Sequence, residues 1–277
     1  MLLQKSFNEF WSSIRFLAVV TIIAVLPRWV FKGMSTMLPV RTEQVNGFTR
    51  TMVDFSHVSP MLLAVTAVLG IVVTIVALLL HTAYWIVAVD GTKDLKKLWQ
   101  AVCKNFFPII GIIFWIVVRT YVWVAFAAIV FAILGFALPT LGGIFPFLFV
   151  LSIVIAVVLF FIRGPRYVAA QYLYLRDHKD VRAAIDASYV LTDGYWGKIV
   201  GNLLLFSLVL TAFGFIVGIL LGIVFGISNL LLPGILAFIL ALVPLFIATL
   251  QQAFLIFFMK DLAETIEAHA LAKAKRK

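Results

Sequence analysis

The chain has 277 residues, of which 64% are hydrophobic and 12% charged, and its mean hydropathy is +1.14. A water-soluble domain of this length is nearer half apolar and a quarter charged, so this chain carries more apolar surface than its own core can hide and its solvent is lipid. A single cysteine, Cys103, excludes an intrachain disulfide and a thiolate metal cluster, and the net charge of +10 points to anionic headgroups before nucleic acid.

Six apolar runs follow one another, at about 14–38, 60–89, 107–138, 141–162, 198–227 and 231–258. A single crossing takes roughly 20 residues, so each run is long enough to span. The first is preceded by a polar amphipathic segment without a small-residue cleavage site, which marks it as a retained span and not a cleaved leader. A longer polar connection, 41–58, leads to the second run, whose inner boundary falls near His81. Runs three and four are joined by LPTLGG (138–143), a turn by composition. Arg119 and Arg163 each lie about one hydrocarbon thickness from that turn, hence at one depth. Runs five and six flank SNLLLP (228–233), and the same measure puts their boundary near Ser207 and near Gln251-Gln252.

Four cations, Arg28, Lys32, Arg41 and Arg50, fall on one side of these spans, and the remaining Lys and Arg share the side of both termini. The positive-inside bias therefore places the termini in the cytoplasm, with a prokaryotic cytoplasmic membrane as the expected location.

A polar motif recurs between the runs. KDLKKLWQAVCKNFF begins at Lys93, KDVRAAIDASYVLTDG at Lys179 and KDLAETIEAHALAK at Lys260, while SFNEFWSSIRF near the N-terminus fits the same frame. Apolar or small residues sit at helical spacing in each: Leu95, Leu98, Trp99 and Val102; Val181, Ala184, Ile185 and Ser188; Leu262, Ile266 and Ala270. One such stripe with charges opposite is the pattern of a helix lying in the membrane surface. The expected fold is thus an all-α membrane protein of one domain. It has six transmembrane helices as three hairpin repeats (about 1–90, 91–176 and 177–259), each with a cytoplasmic amphipathic interfacial helix. A further interfacial helix, 260–277, closes the chain.

Catalytic patterns are missing. His57, His81, His178 and His269 are scattered without metal-ligand spacing. No carboxylate lies inside an apolar run, which argues against a proton- or cation-coupled pump and against a carboxylate-pair hydrolase in the membrane. No cofactor is expected, and the chain reads as a non-enzyme.

Two sets of residues are the candidates for function. Arg119, Arg163 and Arg166 share a depth with His81, Gln251 and Gln252, and with the rings of Tyr84 and Trp85. Guanidinium forks match phosphate oxygens, so this tier could bind an anionic headgroup or a phosphorylated small molecule. Ordinary inner-leaflet anchoring accounts for the same arginines. Gly214, Gly218, Gly222 and Gly226 recur every fourth residue and form a smooth face for close helix packing, within the chain or between copies. The expected partners are membrane lipids, with a homo-oligomer or a second protein through the glycine face, and not nucleic acid. The competing expectation is a small-molecule transporter or channel between the hairpins, suggested by Asn202, Thr211, Gln251 and Gln252 on runs five and six.

The stretch AAIDASYVLTDGYW, with Ser188, Leu191, Gly194 and Trp196 in place and Ile185 where a leucine would stand, resembles the collar helices of the membrane domain attached to some bacterial glycerophosphodiester phosphodiesterases, and of its free-standing relatives. These 277 residues include no soluble catalytic domain of the enzyme-linked form, so the resemblance implies a membrane-embedded accessory or lipid-facing role and not the phosphodiesterase activity. Mitochondrial carriers, also three hairpins, require P-x-[DE]-x-x-[KR] after odd-numbered spans. That pattern is nowhere in this chain, and LPRWVFK (26–32) lacks the acid.

Overall fold

The computed structural model describes residues 2–35, 40–45, 48–53, 59–137, 144–178, 180–231 and 242–275. Six of its helices are long and apolar enough to cross a membrane, the architecture of an integral membrane protein. The turn expected at 138–143 lies outside the described residues; of the one expected at 228–233, residues 228–231 continue the preceding helix and 232–233 lie outside the described residues.

The first helix, α1 (Leu2–Ser35), runs through Pro27. Strands β1 (Val40–Val45) and β2 (Phe48–Val53) follow and pair antiparallel, Val40 opposite Val53 and Val45 opposite Phe48. This hairpin is a small insertion in an otherwise helical fold. The connection alternates β-branched and polar residues around Asn46-Gly47, a hairpin signal in sequence. Helix α2 (Pro60–Asp90) starts on Ser59, whose hydroxyl accepts from the Leu62 N–H at 3.1 Å, and stops at Gly91, which takes φ +64° and donates back to the Val87 carbonyl. Helix α3 (Leu95–Ala137) is capped by Asp94, whose Oδ1 accepts from the Lys96 N–H at 2.8 Å. Helix α4 (Ile144–Arg163) ends in a 3-10 turn (Gly164–Tyr167), followed by α5 (Ala170–Asp177). Helix α6 (Val181–Thr192) is capped by Asp180. Helices α7 (Trp196–Leu231) and α8 (Leu242–Ala274) complete the bundle.

The polar segments do not behave as four separate surface helices. Only α6 stands alone, cut from α7 by Asp193-Gly194 with Gly194 at φ +78°. The segments at the start of α1, the start of α3 and the end of α8 continue without a break into membrane-spanning helix. No turn comparable to Asp193-Gly194 separates them from their spans, and α3 stays helical across Pro108, which removes a single backbone hydrogen bond at that junction. Their apolar stripes also point inward. Leu98, Val102, Ala184, Ile185, Ser188, Leu262 and Ile266 are buried within the protein, whereas Leu95 and Trp99 are exposed.

The core is gathered at the end of the bundle that carries these segments. Phe10 and Leu17 of α1, Tyr84 and Trp85 of α2, Ile109 of α3, Leu173 of α5, and Ile256 and Phe257 of α8 form its centre. The far stretches of the spans expose Val68 and Ile71 on α2, Phe147 and Ile153 on α4, and Phe215 and Ile219 on α7. Water would drive such side chains together, but hydrocarbon does not. Polar ties cross the helices instead. The hydroxyls of Thr21 and Tyr84 meet at 2.6 Å, and Arg28 donates to Thr249 at 3.1 Å. Helix α8 packs along α1 and α2, while α7 meets the bundle chiefly at the 3-10 turn and at α8.

The two ends of the chain are held by charge. Asp261 on α8 is fully buried and faces the ammonium of Lys5 at 3.0 Å and that of Lys260 at 3.4 Å. Lys5 also reaches Glu264 at 2.7 Å, and Lys260 reaches Glu9 at 2.7 Å and Glu264 at 3.0 Å. Breaking a buried ion pair outright costs about 3–5 kcal/mol, and losing one of the two cations at Asp261, with Lys5 still at 3.0 Å, costs a part of that. Lys260→Met is therefore expected to lower the thermal midpoint of the detergent-solubilised protein by several degrees, and Glu9→Gln, on a half-exposed partner, by less. Equal midpoints for wild type and Lys260→Met in a thermal scan would remove this network from the account of stability.

Candidate functional site

The site begins with a helix break. Pro165 has no N–H to give to the Phe161 carbonyl four residues back, and α4 ends there in the 3-10 turn. The indole N–H of Trp196 donates to that carbonyl at 3.1 Å. Ser188 and Thr192, one turn apart on α6, both donate to the Arg166 carbonyl at 2.9 Å. The left-handed Gly194 turns the chain from α6 into α7, so one short segment supplies all three donors. Ser188, Gly194 and Trp196 thus share one physical task, the repair of a break in an apolar surrounding.

The arginine tier ties α6 down. Arg119 donates to Asp186 at 2.6 Å, and one turn away Arg182 lies 4.8 Å over the Trp115 ring, two rungs between α3 and α6. Arg163 donates to the Arg119 carbonyl at 3.0 Å, so the two arginines are neighbours across α3 and α4. Arg166 donates to the Tyr189 hydroxyl and lies over its ring. The three guanidinium groups named from the sequence come together around α6, each engaged within the protein. His81 faces the Gln171 side-chain oxygen on α5 at 3.3 Å, Gln251 lies against Gly214, and Gln252 is half-buried on α8. A Cβ placed at Gly218 or Gly222 would meet nothing within 4 Å, so within the chain this part of the glycine face is open. The surroundings of Gly226 lie outside the described residues.

Beside the break is a cavity of about 460 Å³. Its walls come from Ile116, Val117, Thr120 and Tyr121 of α3, Phe161 of α4, and Gly164, Pro165 and Tyr167 of the 3-10 turn, with Val168 and Gln171 beyond it. Val200, Leu203, Leu204 and Ser207 of α7, Leu255 and Met259 of α8, and Trp85 of α2 close it. Trp85 and Thr120 are 1% and 4% exposed, whereas Val117, Phe161 and Leu204 are 47%, 49% and 57% exposed. The lining is thus deep on one side and open, over apolar residues of α3, α4 and α7, on the side that faces lipid. Trp85 Nε1 and Thr120 Oγ1 are fully buried and meet no hydrogen-bond partner in the protein. Sequence reasoning noted Trp85 only as a ring at the arginine depth and missed Thr120 and Gln171. The available signal was Thr120 directly after Arg119, a hydroxyl at that same boundary.

Among the described residues no three His, Cys, Asp or Glu side chains gather as a metal set. Comparison with protein-family models, with curated proteins and with solved structures finds no match to this chain. The site is therefore read from its own chemistry. It offers an apolar enclosure, few polar atoms, and no nucleophile held by a base.

The clamp on the helix break gives a test by coupling. Trp196→Phe removes one donor and is expected to cost about 1 kcal/mol. In a Pro165→Ala background the restored backbone N–H can serve the Phe161 carbonyl, so the same Trp196→Phe change is expected to cost markedly less. A double-mutant cycle on thermal midpoints that shows simple additivity would refute this assignment.

Proposed function

We infer that this chain is a non-enzymatic integral membrane protein that binds lipid, the cavity between α3, α4 and α7 being the seat of a membrane amphiphile. The observation that carries the reading is an apolar enclosure of about 460 Å³ with an exposed apolar rim and a few polar atoms at its deep side. Sites for apolar small molecules have this composition. The arginine tier stands at its edge. Arg119 immediately precedes the lining residue Thr120, and Arg163 and Arg166 flank Gly164-Pro165. An anionic headgroup would meet a positive field there. The chain's resemblance to phosphodiesterase-linked membrane domains, carried by the α6 motif, implies the same lipid-facing role.

A transport path gains less support. Asn202 and Thr211, two of the four polar residues that suggested it, donate to carbonyls one turn back on their own helix, at 2.7 and 2.8 Å. We also read the fold as three related units whose polar segments form a cytoplasmic collar. Asp94 and Asp180, equivalent in the repeat, both cap a helix. In this arrangement the inward-facing stripes gather the units and the charges face the cytoplasm.

Two measurements test these readings. Native mass spectrometry of protein released from nanodiscs of mixed zwitterionic and anionic phospholipid is expected to show one retained lipid. A Leu204→Trp change, which fills the mouth, is expected to reduce that retention several-fold. Unchanged retention in the variant would put the lipid elsewhere. For orientation, Cys103 is the sole cysteine and is exposed. A membrane-impermeant maleimide is expected to label it in inside-out vesicles and not in intact spheroplasts, and the reverse pattern would overturn the cytoplasmic placement.

A further inference from the structure

The chemistry of the deep side of the cavity narrows what can sit there, given the lipid-binding reading above. Trp85 Nε1 can only donate. It is fully buried without an acceptor, and so is the Thr120 hydroxyl, on the neighbouring helix and lining the same cavity. Buried polar groups are paired in native proteins, and two unpaired groups on residues that line one cavity mark it as the place for a missing acceptor. No lining residue is a cation or an anion. The nearest cations are turned away, Arg119 to Asp186, Arg163 to the Arg119 carbonyl and Arg166 to Tyr189. The group that meets Trp85 and Thr120 is therefore an uncharged oxygen acceptor attached to something apolar.

Depth selects among such acceptors. Thr120 is adjacent to Arg119, whose backbone carbonyl holds Arg163, so these donors lie at the arginine tier. Arginine side chains of a membrane protein sit at headgroup level. In a glycerolipid the ester carbonyls lie at the junction between headgroup and acyl chains. We propose that the cavity holds one acyl chain of a diacylglycerolipid, with its ester carbonyl accepting from Trp85 Nε1–H and the Thr120 hydroxyl. The headgroup then lies outside the cavity beside the arginines, and recognition rests on the ester linkage more than on the phosphate.

The experiment uses the whole protein in mixed micelles containing equal amounts of diester phosphatidylglycerol and its diether analogue with the same chain lengths. Bound lipid is counted by native mass spectrometry. Wild type is expected to retain the ester form about tenfold over the ether, the factor that two modest hydrogen bonds provide. Trp85→Phe and Thr120→Val, each made alone, are expected to move that ratio towards one while still retaining lipid. Equal retention of the two lipids by wild type would overturn the carbonyl assignment and leave lipid binding standing. Retention of neither would overturn both. The wild-type comparison needs no variant, so a poorly folding substitution does not blunt the test.

Discussion

Hydrocarbon offers a polypeptide no hydrogen-bond partner, and a backbone that enters it must satisfy its own N–H and C=O groups. Six helices long enough to cross are the direct answer. The same constraint explains why the polar segments of α1, α3 and α8 stay continuous with their spans, since a break would free carbonyls and amides near the membrane boundary. Where a break does occur, at Pro165, three side chains from α6 and the start of α7 make up the missing donors. The cavity forms beside that repair, lined by Phe161, Gly164 and Pro165. Two residues of its lining, Trp85 and Thr120, carry buried polar atoms that meet no partner within the protein.

The distribution of core and charge follows from the change of solvent along the bundle. Apolar burial stabilises where it removes surface from water, and the buried cluster lies at the end holding the polar segments. Further along the spans, lipid takes the place of neighbours and the helices touch less. Polar ties, from the Lys5–Glu9–Lys260–Asp261–Glu264 network to the Arg119–Asp186 pair, supply registry that non-directional apolar contact lacks.

Much of the architecture was legible in the sequence because length and hydropathy decide which helices can cross a membrane. Arg119 and Arg163, set at similar distances from the 138–143 stretch in the sequence, are in contact in the fold. Other features depend on tertiary neighbours. Nothing in the periodicity of Leu98, Val102 or Ile185 says whether their stripe meets lipid or protein, because both are apolar. The arginines were legible as a tier, but their partners Asp186 and Tyr189 sit 67 and 23 residues away. The cavity draws on helices from Trp85 to Met259, and no local pattern announces it. The hairpin at Val40–Val53 carries a local signal in Asn46-Gly47, the residue pair that favours a two-residue turn.

Continuity between collar and span has a mechanical side. Helix α3 is 43 residues long, roughly 65 Å at about 1.5 Å per residue. It is held through its first half, by Val102 and Ile109 in the core and by Trp115 and Arg119 against α6, and beyond them it runs beside α4. A rotation of a few degrees about Arg119 moves the far tip, roughly 27 Å away at about 1.5 Å per residue, by about 2 Å. Because α4 lies along that half, it moves with it. A tilt imposed on the polar start of α3 is thereby passed, without a joint, to the opposite end of the bundle.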